Sequence, residues 1–288
     1  MNAALRQFGN LFKLRIGVVI SLTALGGVAM APGPIPEVWR IAVLALAVLG
    51  ASAAAGAFNQ YAERDLDARM ARTQGRPFVT GILIRGHRWL WIIAGMLAVS
   101  VVAAATALNF WVALHVFLGA FFYGVVYTLW LKRRTSWNIV IGGLAGSFAV
   151  LAGAAAVDPA LSMQPVLLAL VLFLWTPSHF WSLAIAYRDD YAAAGVPMLP
   201  VELGNARAAR VVLGNTVALV AVSLLPLLFG AGWLYGLGAT VGGGYFLAKA
   251  GRLVRQPSRA NAMASFFASM TQLGLLLIAA MVERALAL

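Results

Sequence analysis

Nine carboxylates are present in the 288 residues of this chain, and five of them fall in two tight groups. The first group lies in Asn59-Gln60-Tyr61-Ala62-Glu63-Arg64-Asp65-Leu66-Asp67, and the second is the pair Asp189-Asp190. If one helix runs through the first group, Asn59, Glu63 and Asp67 follow at i, i+4 and i+8 within an arc of about 80°, with Asp65 pointing nearly opposite to Glu63. One face then offers three hard oxygen donors. Such a set suits Mg²⁺, which takes one or two carboxylates, keeps some waters and completes its shell with substrate phosphate. Asp189 and Asp190 could hold a second ion. Arg69, Arg72, Arg76, Lys132 and Arg133 stand nearby as cations able to clamp phosphate oxygens. Interfacial salt bridges are the plainer reading, yet clustered acids at a membrane boundary repel one another unless a cation binds between them. The pattern predicts a metal-bridged diphosphate site with Asn59, Glu63, Asp67, Asp189 and Asp190 as its catalytic and metal-holding residues.

The elements that position these residues must be membrane helices. The chain is 62% hydrophobic and only 10% charged, so lipid is the solvent for most of it. At roughly 20 apolar residues per crossing, nine spans use nearly the whole length and leave one domain, residues 1–288, with an all-α polytopic fold. The expected spans are Ile16–Ala31, Val38–Gln60, Trp89–Leu108, Phe110–Trp130, Asn138–Val157, Pro165–Tyr187, Val211–Phe229, Gly232–Lys249 and Ala262–Val282. Small residues such as Gly142, Gly143, Gly146 and Gly153 predict close helix packing in lipid. All 21 basic residues except Arg40 and Arg284 fall on one side of this arrangement, the side that also carries both acidic groups. The positive-inside rule makes that side cytoplasmic, with the N-terminus inside and the C-terminus external. The charge of +12 is therefore topological and does not indicate nucleic acid. Absence of cysteine excludes disulfides, thiolate metal sites and Cys-x-x-Cys-His haem attachment. The first span, with Arg6 to Arg15 before it and Ala29-Met30-Ala31 at its end, imitates a cleavable signal peptide, but its apolar run is long for one. No transit segment is apparent, which favours a bacterial plasma membrane over an organelle. The order of the cytoplasmic loops, acid-bearing then purely basic and repeated, hints at two related halves around a central cavity.

At these residues the chain resembles the UbiA superfamily of intramembrane prenyltransferases, and within it the branch that farnesylates haem. Asn59 to Gly81 is similar to the first aspartate-rich motif, Tyr127 to Gly146 to the second block and Trp175 to Gly204 to the third. The third is the most specific, through Trp175-Thr176-Pro177-Ser178-His179-Phe180-Trp181 and Pro197-Met198-Leu199-Pro200. Glu63 departs from the family's usual Asp while keeping a carboxylate. The resemblance implies a nine-helix bundle around a cytoplasm-facing cavity, Mg²⁺ as cofactor, and farnesyl diphosphate and haem B as substrates reached from membrane lipid. It also implies a downstream haem-modifying enzyme or oxidase assembly factor as partner. His179, about 15 Å down the sixth helix from Asp189, is the candidate for touching haem, with Trp181 beside it. The rivals are an enzyme of the same superfamily with a hydroxybenzoate, naphthoate or chlorophyll-precursor acceptor, and a secondary transporter whose carboxylates couple ions. Against the transporter, the acids sit at helix ends beside arginines.

Overall fold

A computed structural model describes residue 7 and residues 9–287. Arg6, one of the basic residues counted above, lies outside the described residues. The order is α1 (Leu14–Met30), α2 (Val38–Ala62), α3 (Arg64–Asp67), α4 (Pro77–Thr80), α5 (His87–Ala107) and α6 (Phe110–Phe121), which runs on as a π-helix, Phe122–Leu131. Then come α7 (Asn138–Gly142), α8 (Leu144–Val157), α9 (Met163–Ala186), α10 (Arg188–Ala193), α11 (Leu199–Leu203), α12 (Asn205–Leu224) with a 3₁₀ end at Leu225–Phe229, α13 (Trp233–Arg255) and α14 (Arg259–Leu286).

Seven helical stretches among the described residues are long and apolar enough to cross a membrane. Two further helices stand where the sequence predicts spans but fall short in length or hydropathy. These are α1, at 17 residues, and α13, whose glycines and tyrosines dilute its hydropathy. Several helices overrun the apolar windows at the basic end: α12 begins at Asn205 and α13 continues to Arg255. Their extra turns carry Arg207, Arg210, Arg252 and Arg255, whose long stems allow the charges to reach water. On the outer faces Trp91 and Val99 are 78% and 70% exposed, as side chains facing lipid would be.

Two buried clusters fill the bundle, one among α1, α2, α5, α6 and α8, the other among α1, α8, α9, α12, α13 and α14. Two further clusters hold the loops at the basic end. Leu66 and Met70 pack with Trp181, Ile185 and Tyr191, while Leu11 and Phe12 pack with Ala53, Ala57, Tyr61 and Phe78. At the opposite end, Glu283 of α14 caps α13, accepting from the Gly232 and Tyr235 backbone N–H groups at 2.5 and 2.9 Å. A carboxylate there satisfies orphan donors and opposes the helix dipole. Glu283→Ala is expected to cost about 1–3 kcal/mol, read as a lower unfolding midpoint in detergent; an unchanged midpoint would show that water replaces the cap without loss.

Candidate active site

The stripe Asn59, Glu63, Asp67 forms as its spacing predicts, but the helix does not run straight through it. α2 stops at Ala62, Glu63 turns out of helical geometry at φ −99° and ψ 15°, and α3 resumes for one turn. The bonds from Glu63 N to Asn59 O (2.9 Å) and from Asp67 N to Glu63 O (2.8 Å) keep the three side chains in register. The sparsely occupied backbone region of Glu63 is one where site residues recur. The three are 2%, 1% and 2% exposed, whereas Asp65 points outward.

Each acid meets a cation. Lys132 Nζ lies 2.5 Å from Glu63 Oε2, and Arg76 Nη1 lies 2.5 Å from Asp67 Oδ2. Arg133 grips both oxygens of Asp65 at 2.8 Å. These hydrogen bonds hold the Asp65 carboxyl below the usual carboxylate range. Burial pushes the Asp67 carboxyl upward, against the positive charge and hydrogen bond of Arg76. Glu63 Oε1 is buried without a hydrogen-bond partner among the described residues. Such an orphan carries a desolvation penalty that a cation at this position would relieve.

The second acidic group repeats the construction of the first. α9 ends at Ala186, Tyr187 leaves helical geometry at φ −123° and ψ 32°, and α10 carries Asp189 and Asp190 in its first turn. Both line a cleft of about 420 Å³ with Ala71, Arg72, Ala186, Tyr187 and Arg259. Arg72 joins the two groups. It lies on the loop after Asp67, yet its guanidinium lies 5.6 Å from the Tyr187 ring centroid and 3.4 Å from the Tyr191 hydroxyl. Arg259 approaches Tyr187 too, at 5.1 Å. Arg69 is exposed and makes no ion pair with the described residues.

The pattern of the UbiA prenyltransferase family matches residues 20–272. The chain belongs to the UbiA family. It is 58% identical to the protoheme IX farnesyltransferase 2 of Paramagnetospirillum magneticum, over the whole of both chains. Its fold matches that of a digeranylgeranylglyceryl phosphate synthase with a TM-score of 0.78, at 18% identity over 97% of this chain and 98% of the other. It also matches a UbiA homologue from Archaeoglobus fulgidus bound to DMAPP and Mg²⁺, with a TM-score of 0.71, at 16% identity over 94% and 99%. The all-α multi-pass bundle expected from hydropathy is thus the fold of a prenyltransferase family.

In this UbiA family member the expected haem contacts, His179 and Trp181, both lie on α9. The His179 ring is stacked between Trp175 and Phe266, with centroids 4.2 and 4.3 Å away, and its Nδ1 lies 2.7 Å from Ser269 Oγ. Trp181 is 5% exposed, and its indole N–H is buried without a partner among the described residues. Among the described residues no three His, Asp or Glu side chains converge as a metal cluster. Two acids and the Asn59 amide are what the first stripe supplies, a donor set that fits Mg²⁺ with room for phosphate.

Other residues of the site carry no sequence signal. Lys13 Nζ donates to Asn59 Oδ1 at 2.7 Å and to the Tyr123 hydroxyl at 2.9 Å, and Asn59 Nδ2 donates to Thr128 Oγ1 at 3.1 Å. Burial and the nearby charge of Arg76 push the Lys13 amine down to about 7. Tyr123, Tyr127, Thr128 and Lys132 reach the site from the π-helix and its end, where Lys132 N bonds to Tyr127 O five residues back. π-Helical turns are rare and recur at functional sites. Apolar periodicity does not reveal them.

Proposed function

We propose that this chain transfers the farnesyl group of farnesyl diphosphate to a vinyl group of haem B, with Mg²⁺, at the cytoplasmic face of a bacterial plasma membrane. In this reading the N-terminus is cytoplasmic and the C-terminus external, as the basic residues require. The observation that carries the chemistry is the orphan Glu63 Oε1, buried beside Asn59 and Asp67 within a ring of cations. The name of the relative 58% identical over its full length supports the substrates.

Asn59, Glu63 and Asp67 would hold one Mg²⁺, and Asp189 and Asp190 would hold another. The bound metal supplies positive charge that neutralises the diphosphate as it leaves. Lys132 and Arg76, beside Glu63 and Asp67, and Arg72, beside the Asp189–Asp190 cleft, are the cations that would bind the phosphate oxygens of the diphosphate. Arg69 and Arg133 add positive potential at the mouth. Apolar walls keep water from the allylic cation that forms when the C–O bond breaks. The haem vinyl attacks that cation through its terminal carbon, and water adds to the new cation beside the porphyrin ring and gives up a proton to solvent, leaving a hydroxyethylfarnesyl side chain. His179 and Trp181 on α9 are the residues assigned to haem in this reading; they project about 200° apart around the helix, so they serve different faces of it and do not form one wall.

The test is the purified chain with farnesyl diphosphate and haem B, followed by chromatography and mass spectrometry. Farnesylated haem is expected with Mg²⁺, and turnover should fall to background in excess EDTA. Product from hydroxybenzoate or naphthoate but never from haem would replace the acceptor. Solute flux without diphosphate release would replace the enzyme by a transporter.

A further inference from the structure

Lys13 has one of two positive-φ conformations among non-glycine residues in the described chain, at φ 48° and ψ 40°. A side chain rarely adopts this left-handed geometry, and it persists only where the surroundings enforce it. Here they do. Gln60 Nε2 donates to the carbonyls of Asn10 and Leu11 at 2.7 and 3.1 Å, fixing the preceding turn on α2. Leu11 and Phe12 are buried on either side of that anchor. The Lys13 stem then crosses α2 at Gly56, where a Cβ would come within 3.3–3.4 Å of three of its carbons. Gly56 precedes Asn59 by one helical turn, so the stem leads directly to the amide.

That amide has chemically different ends. As an ammonium, Lys13 Nζ donates and does not accept, and in that form it selects the oxygen. At the other end Thr128 gives its hydroxyl hydrogen to Tyr123 O at 2.8 Å, which leaves its oxygen to accept from Asn59 Nδ2. A flipped amide would lose both bonds. The carbonyl oxygen keeps a second lone pair, because Lys13 is its only hydrogen-bond partner among the described residues.

We propose that Lys13 is a positioning residue of the metal site, fixing the Asn59 carboxamide so that its oxygen, and not its NH₂ group, faces an incoming cation. This rests on the Mg²⁺ reading of the Asn59, Glu63, Asp67 stripe. Partners that orient a metal ligand typically contribute about 10- to 100-fold in metal affinity.

The test is Mn²⁺ binding to the full chain in detergent, followed by electron paramagnetic resonance without substrates. Lys13→Met, which keeps an unbranched side chain and removes the donor, is expected to weaken Mn²⁺ half-saturation by about tenfold or more. A carboxylate has two identical ends and needs no orienting partner. The double variant Lys13→Met/Asn59→Asp should therefore bind Mn²⁺ as Asn59→Asp does, which also shows that Lys13→Met folds. Wild-type affinity in Lys13→Met, or a double variant no better than the single one, would overturn the proposal. A wild-type chain that binds no Mn²⁺ would instead remove the metal reading on which it stands.

Discussion

Asp67→Ala is expected to reduce turnover by roughly 10²- to 10³-fold or more, the scale on which one removed electrostatic contact in a catalytic site acts. Asp67 is 2% exposed and sits 2.5 Å from Arg76, so the variant loses a carboxylate proposed to hold Mg²⁺ and leaves a cation without its counter-charge. Folding should survive, because the Arg76 side chain keeps 21% of its surface exposed and can turn to water. Activity and structure are thus separable by measuring turnover beside the unfolding midpoint in detergent. Asp65→Ala is the matched control. It lies two residues away, its side chain is 53% exposed, and its partner Arg133 is 42% exposed. An exposed pair of this kind is worth about 1 kcal/mol at most, so a loss of less than about tenfold is expected. Wild-type turnover in Asp67→Ala would end the assignment of this stripe to metal. Equal losses in both variants would mean that general negative charge, not ligation, matters here.

The contrast between Asp65 and Asp67 was legible because helical periodicity states which residues of one segment share a face. It placed Asn59, Glu63 and Asp67 together and Asp65 apart, and the structure keeps that division even though the helix breaks at Glu63. Hydropathy likewise located the long helices, since lipid demands apolar runs with internally satisfied backbones. Periodicity is silent about which other segment a face will meet. Lys13 reaches Asn59 across 46 positions and Tyr123 across 110, and Lys132 reaches Glu63 across 69. Lys132 is legible because it opens a basic run, whereas Lys13 is in the sequence only one more cation on the positive side. The π-helix hid Tyr123 and Thr128 for a further reason. Phe122–Leu131 carries no charged residue and its few hydroxyls stand among large apolar side chains, so its composition reads as an ordinary span. His179 was chosen for its depth along α9, and depth gives no information about the rings of Trp175 and Phe266 that cover its faces.

Glycine spacing illustrates the same boundary and leads to the largest expected effect on stability. Of the four glycines that the sequence marks for close packing, Gly146 has room for a methyl group, its nearest neighbour being a Leu172 carbon 3.9 Å from the position of an added Cβ. Gly153 does not. A Cβ there would lie 1.7 Å from the carbonyl oxygen of Ala24, and one on Gly27 would lie 2.0 Å from the carbonyl oxygen of Val150. The two glycines face each other's helices at one crossing of α1 and α8, and backbone atoms cannot rotate aside as a side chain would. Accommodating a methyl group requires the helices to part. Packing is the main source of helix association in lipid, so Gly153→Ala is expected to cost about 3 kcal/mol, the upper end for overpacking. Gly146→Ala should be neutral or stabilising by up to about 1 kcal/mol, because alanine is the better helix former. Comparing the yield of monodisperse protein and the unfolding midpoint for the two variants tests this. A Gly153→Ala chain that melts like the wild type would show that α1 and α8 do not meet at this distance. The consequence extends to the site, because α1 begins immediately after Lys13. Moving α1 away from α8 displaces the residue that holds Asn59, so any folded fraction of Gly153→Ala should also bind Mn²⁺ more weakly than Gly146→Ala.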